Sequence, residues 1–329
     1  MHSVGYSFAT IALACTSALL ALSASAQNSA TGDAAVAEPV TQSSQVTEQV
    51  LVRGQRLSEV EFDLPSYIRE FIAEVVALPP GGGFSRWHRS VCASVLNLDQ
   101  TAAQYLVDRI SFQAAQVGLE PGEPGCDPDV FVVFTTDAKS MAANMVENNP
   151  LMFRPFGGMC CMQLGLGALD DFAQSDRAVR WWHVSMPVSA MTGQLAIVTP
   201  QTSTGEFPVI SVAGPSRIHS GIRDELHHVI IIVDATRLSD LTWQQIGDYL
   251  AFVSLAQIDP NGVPSAFDSI LNLFTNRSAY SGLTDWDQSY LHALYEIDLE
   301  RLPQLQRNQV VNHIVRQERG LNDKPQSGD

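Results

Sequence analysis

Five consecutive β-branched residues, Val229-Ile230-Ile231-Ile232-Val233, constrain this chain more than any other stretch. Neighbouring strand side chains point to opposite faces, so an unbroken apolar run predicts a strand covered on both sides. Its neighbours can supply the covers. Thr242 is placed to cap a long helix to Ile258, with Ile246, Leu250, Val253 and Leu255 on its buried side. Upstream, residues 90–98 read as a strand. Asp99 then caps a helix to about Val117, with Leu106, Val107, Ile110 and Ala114 on one face. Residues 129–136 form the next strand, and Asp137 caps a helix through Val146. Strand, helix, strand in this order implies a right-handed crossover and a mixed sheet.

Other elements follow by the same reasoning. Residues 65–78 carry a helical stripe (Ile68, Phe71, Ile72, Val75, Val76) behind Ser66 as a cap, ended by Pro79-Pro80-Gly81-Gly82-Gly83. No Lys-Ser/Thr follows these glycines, so they read as a solvated loop rather than a phosphate cradle. Residues 179–188 alternate as a strand, with Pro187 marking it as an edge. Residues 194–199 pair with it across Thr192-Gly193, and residues 209–213 form another strand. Asp259-Pro260-Asn261-Gly262 ends the long helix, and Thr284-Asp285-Trp286-Asp287 opens a further one through Ile297.

The first residues argue for export. Residues 4–22 are apolar and uncharged and lead into Ala24-Ser25-Ala26, the small-x-small pattern of a signal-peptidase site, so cleavage after Ala26 is expected. The Ala, Ser and Thr content of the stretch argues against an uncleaved anchor, and Ala12 stands where a lipid anchor on Cys15 would want Leu. The expected organisation is a signal at 1–26, a flexible linker at 27–56, a folded domain at 57–320 and a disordered tail at 321–329. The domain's C-terminal helical part covers about 259–320. The expected location is the periplasm or the exterior, with no stable membrane span after cleavage.

Of the five cysteines, Cys92, Cys126, Cys160 and Cys161 follow the signal. An oxidising compartment favours pairing, and Cys92 with Cys126 is the natural loop-closing pair, because adjacent Cys160 and Cys161 join each other only through a strained ring. The net charge of −16 falls wholly after residue 26, with only 19 Lys plus Arg, which excludes a phosphate-binding face for nucleic acid.

The order of elements resembles that of zincin metalloproteases, in which a twisted mixed sheet precedes a long helix carrying H-E-x-x-H. Phe134-Thr135-Thr136-Asp137, the helix after Val229–Val233, and Leu283-Thr284-Asp285-Trp286-Asp287 leading into Tyr290-Leu291-His292-Ala293-Leu294-Tyr295 are similar to zincin-like secreted bacterial proteins. More closely, residues 58–315 resemble an uncharacterised proteobacterial family of exported proteins with a degenerate zincin-like domain. The resemblance implies an α+β fold: a zincin-like mixed twisted sheet packed with long helices and a C-terminal helical subdomain. Its chemistry does not carry over. The register sets Gly247, Asp248, Tyr249, Leu250 and Ala251 where H-E-x-x-H would stand, so only Asp248 resembles the general base and both imidazole ligands are missing. No metal or other cofactor is expected.

No two of the eight histidines stand four apart, and His227 and His228 point to opposite faces of a regular strand. No G-x-S-x-G is present. Asp285 and Asp287 read as first-turn acids that favour a helix's positive end. Trp181 and Trp182 form a candidate binding shelf, one ring inward and one outward, with the outward ring as the contact. Residues 49–54 (QVLVRG) read as a first strand, or as a segment that adds to a partner's sheet edge, as in the strand before the plug of TonB-dependent receptors.

Three functions are weighed. The leading expectation is a non-catalytic zincin-like binding or scaffold domain of the periplasm or envelope, with an envelope protein as partner. The alternative is a peptidase-like hydrolase whose site is rebuilt from Asp248, His219 and His228. A third is a purely structural envelope component.

Overall fold

The computed structural model describes residues 63–78, 82–153, 164–201, 205–209 and 218–320. The expected signal, linker and tail, Cys160 and Cys161, and most of the expected strand at 209–213 lie outside these residues.

In chain order the elements are α1 (Leu64–Val75), β1 (Ser85–Arg86), β2 (Ser90–Val91), β3 (Ala93–Leu96), α2 (Gln100–Gln116), β4 (Glu120–Pro121), β5 (Val130–Thr135), α3 (Ala138–Asn148), α4 (Pro150–Phe153), α5 (Gly165–Gln174), β6 (Val179–Ser189), β7 (Ile197–Gln201), β8 (Gly205–Val209), β9 (Ile222–Asp234), α6 (Trp243–Leu255), α7 (Asp285–Glu296) and α8 (Pro303–Glu318). No helix among the described residues is long and apolar enough to cross a membrane.

The fold is mixed α/β. Its five-stranded sheet is centred on β9. On one side of β9 lie β5, followed by β3, and further along β1, all parallel. On the other side β6 runs antiparallel along nearly the whole strand, as an edge among the described residues. The hairpin expected across Thr192-Gly193 begins as read, with Ser189 N–H donating to the Gln194 carbonyl and Ala196 N–H to that of Pro187. From Ile197 onward the chain pairs with β8 instead.

The apolar run behaves as its composition requires. Val229, Ile231 and Val233 enter one core with α1, α2, α6, α7 and α8, while Ile230 and Ile232 enter a second core with α3, α4 and α5. Each of these five side chains is fully buried, contributing roughly 1.5–3 kcal/mol of transfer free energy. The C-terminal helices join α1 in the first core: Tyr290 and Val310 pack in it with Ile68 and Phe71.

The caps at Asp99, Asp137, Thr242 and Thr284 all form, those at Thr242 and Thr284 as reciprocal capping boxes. Two boundaries differ from expectation. The cap of α1 is Asp63, whose carboxylate accepts from Ser66 N–H and Oγ–H, so Ser66 lies inside the first turn. The strand expected over 90–98 is broken at Cys92, because Asp129 takes up that residue's backbone. The Asp129 carboxylate accepts from Cys92 N–H at 2.9 Å, and Asp129 N–H donates to the Cys92 carbonyl at 2.8 Å. Strand β2 consequently pairs with β4, and β3 with β5.

A disulfide joins Cys92 and Cys126, closing a separation of 34 residues around the α2 crossover. The chain can approach it closely only because residue 122 is Gly; a Cβ there would lie 2.4 Å from Cys126 Sγ. Closing a loop of this length restricts the unfolded chain by several kcal/mol. Cys92→Ser should therefore lower stability by about 2–5 kcal/mol in a denaturant titration. Reductant should lower the wild type by a similar amount and leave the variant unchanged.

Candidate functional site

Helix α6 is covered on almost every side: each residue from Gln245 to Leu255 is buried. Such a helix must satisfy its polar groups internally, and it does so at three places. At its start, Gln245 completes the capping box and donates from Nε2 to the carbonyls of Arg277 and Tyr280.

In its middle, Asp248 is 1% exposed and held by α2. Arg109 grips it in a bidentate pair, Nε to Oδ1 at 2.5 Å and Nη2 to Oδ2 at 2.8 Å. Gln113 Nε2 and the backbone N–H of Leu283 each add a contact at 3.3 Å. Gly247 gives Arg109 its path, since a Cβ on residue 247 would stand 2.8 Å from Arg109 Cγ. Gly282 serves the carboxylate likewise; a Cβ there would meet Oδ2 at 2.4 Å.

At its end, the last four carbonyls are all taken, which a buried helix terminus requires. Ala256 N–H closes on Phe252, His183 Nε2 reaches Val253 at 2.7 Å, Trp87 Nε1 reaches Ser254 at 2.8 Å, and the Tyr295 hydroxyl reaches Leu255 at 2.9 Å. Just beyond, Trp181 Nε1 donates to the Ile258 carbonyl at 2.9 Å. A carbonyl can only accept, so His183 carries its proton on Nε2. Burial pulls its pKa down to about 4, against the opposing pull of the backbone hydrogen bonds. At the head of α7, burial likewise pushes the Asp287 carboxyl up to about 6, although it accepts from Ser269 Oγ, Ile270 N–H, and the N–H and hydroxyl of Thr284. Asp287 is thus the first-turn acid expected, and a buried one that also staples α7 to the 269–270 segment.

Beside α6 opens a cleft of about 290 Å³. Its walls come from the start of β6, from Tyr249, and from the chain after α6 through Leu271 and Phe274. The Tyr249 ring packs edge-on against Trp181 and Phe274, at 6.2 and 5.1 Å between centroids. Arg177 and Arg237 also line it.

The structure separates the residues singled out in the sequence. Asp248 faces α2, with no opening to the cleft among its contacts. Trp181 lines the cleft, but Trp182 is as buried as Trp181, so neither is the outward ring expected of the pair. Trp182 lies under α4 and α5, donating to the Phe153 carbonyl and packing against Phe172, because helices cover that face of the sheet as well. His228 meets the Met152 carbonyl at 2.5 Å and has its pKa lowered by burial. His219 forms a backbone bridge with Arg301. A bulge where Val184 pairs with His228 but Ser185 with Leu226 leaves His227 over, and brings the two neighbouring imidazoles to 5.2 Å instead of placing them on opposite faces. Among the described residues no group of three or more His, Cys, Asp or Glu could hold a metal ion. Gly247 and Ala251, the positions expected to correspond to zincin ligands, bring no side-chain ligand atom and do not fit a metal.

Sequence reasoning missed Arg109, Gln113, Arg177 and Tyr249. Only the first two left a trace: Gln113 interrupts the apolar stripe of α2, and Arg109 lies one turn before it.

These features define a mixed α/β domain organised around one buried helix with a cleft at its flank. No family model and no curated protein matches the sequence, and no solved structure matches the fold.

Removing one partner of a buried ion pair strands the other charge. Arg109→Ala should cost about 3–5 kcal/mol in denaturant unfolding, whereas Arg109→Met combined with Asp248→Leu should recover most of that loss. The two titrating side chains give opposite slopes with pH. Between pH 6.5 and about 4 the unfolded chain protonates His183 and the folded chain does not, so stability falls as pH falls, by up to about 1.4 kcal/mol per unit. Between 3.8 and about 6 the folded chain retains the Asp287 proton that the unfolded chain releases, so that contribution is lost as pH rises. The stability difference between wild type and His183→Gln should show the first slope alone, and that between wild type and Asp287→Asn the second.

Proposed function

We propose that this chain is an exported, non-catalytic binding domain with a zincin-like plan. The sequestration of Asp248 carries the reading. A general base must meet water or substrate, yet this carboxylate has its acceptor sites occupied by Arg109, Gln113 and a backbone N–H. The plan is supported by a mixed sheet with an antiparallel edge strand preceding the buried helix. Export is supported by the Cys92–Cys126 disulfide, which belongs to oxidising compartments. With the acid locked away, the cleft beside Tyr249, which pairs an aromatic wall with charged groups, is the place assigned to a ligand. A rebuilt hydrolase gains no support, because Asp248, His219 and His228 each engage a different element.

Elemental analysis of the purified protein should find far less than one equivalent of zinc, and a casein-digestion assay should find no hydrolysis above buffer. Zinc near one equivalent that disappears in Asp248→Ala, or hydrolysis abolished by that change, would sink the proposal.

A further inference from the structure

Two polar groups of the cleft keep hydrogen-bonding capacity that the fold does not use. Arg177 donates from Nη2 to Asn261 Oδ1 at 2.6 Å, while its Nη1 is buried with no hydrogen-bond partner among the described residues. The hydroxyl of Tyr249 likewise makes no hydrogen bond among them, and the Arg177 guanidinium is the charge acting on that phenol. The other charged groups lining the cleft are already engaged. Arg237 pairs with Asp176 at 2.9 Å, and Asp259 accepts from Asn261 N–H at 2.8 Å. A buried donor without a partner is costly, and of the buried polar atoms left unpaired among the described residues, Arg86 Nε and Arg180 Nε included, Arg177 Nη1 is the one whose side chain lines this cleft.

We propose, building on the binding reading above, that this cleft takes a small organic monocarboxylate, its carboxylate on Arg177 and the Tyr249 hydroxyl and its apolar body against Trp181, Leu271 and Phe274. The charge balance selects a single negative charge. With Asp176 paired to Arg237, the cleft holds one unpaired guanidinium beside the Asp259 carboxylate, so a dianionic phosphate would bring two charges to a single cation. Aromatic and branched side chains select the body, and a volume of about 290 Å³ stands at the lower end of small-molecule sites, enough for one ring on a short chain. A free acid and the carboxyl end of a peptide share this chemistry.

Calorimetric titration of the purified protein with 3-phenylpropionate, its neutral amide, inorganic phosphate and N-acetylglycylphenylalanine tests the assignment. The free acid or the peptide should bind saturably, at least about tenfold more tightly than the amide and than phosphate. Tighter binding of the peptide identifies a chain end as the source, and tighter binding of 3-phenylpropionate a free acid. Arg177→Gln should bring acid and amide to similar affinity. Tyr249→Phe, which keeps the ring, should weaken the acid several-fold and leave the amide closer to unchanged. Equal affinities of acid and amide for the wild type, undiminished preference in folded Arg177→Gln, or no saturable binding of either acid overturns the assignment. Because zinc and casein hydrolysis are read separately, a chain that hydrolyses casein yet prefers the acid overturns the non-catalytic reading alone.

Discussion

A helix buried on all sides must have its terminal carbonyls answered by something other than water, and helix α6 organises the domain through that requirement. Its last carbonyls are met by donors from three distant parts of the chain and by its own cap. Trp87 lies beside β1, His183 on β6, Tyr295 on α7, and Ala256 is the helix's own cap. Each donor fixes the segment that carries it. The antiparallel edge strand is drawn against α6 by His183 and Trp181, and α7 is held there by Tyr295. The cleft forms where these tethers leave space, between the start of β6 and the chain that leaves α6.

The polar groups inside the cores act as staples, and most of them are completely satisfied. Asp248 fastens α6 to α2, Asp287 fastens the start of α7 to the 269–270 segment, and Gln306 closes the 299–301 turn onto Phe84. A buried polar network of this kind stabilises only when every member is paired, and it then defines one arrangement of the elements. Arg177 Nη1 is one of several buried polar atoms left unpaired among the described residues, with Arg180 Nε and Ser254 Oγ, and it belongs to the cleft wall.

What could be read from the sequence depended on distance along the chain. The caps at Asp99, Asp137, Thr242 and Thr284 lie within three residues of the groups they serve, so a local pattern contains them. The two-faced burial of Val229–Val233 was legible for the same reason, since five successive apolar residues need no knowledge of partners. The break at Cys92 depends on Asp129, and the Arg109 pair with Asp248 spans 139 residues. No local window carries either. The displaced His227 and the covered Trp182 depend on how β6 and β9 align and on which helices roof the sheet. The cleft was least legible of all, because Arg177, Tyr249 and Phe274 converge only through tertiary packing.

Gly247 ties two positions together. Arg109 occupies the space beside the bare Cα, and its guanidinium neutralises the neighbouring Asp248. A histidine at position 247 would displace the arginine stem and strand a buried carboxylate. The bare Cα and the ion pair thus depend on each other, and residue 247 can accept a side chain only if residues 109 and 248 change with it.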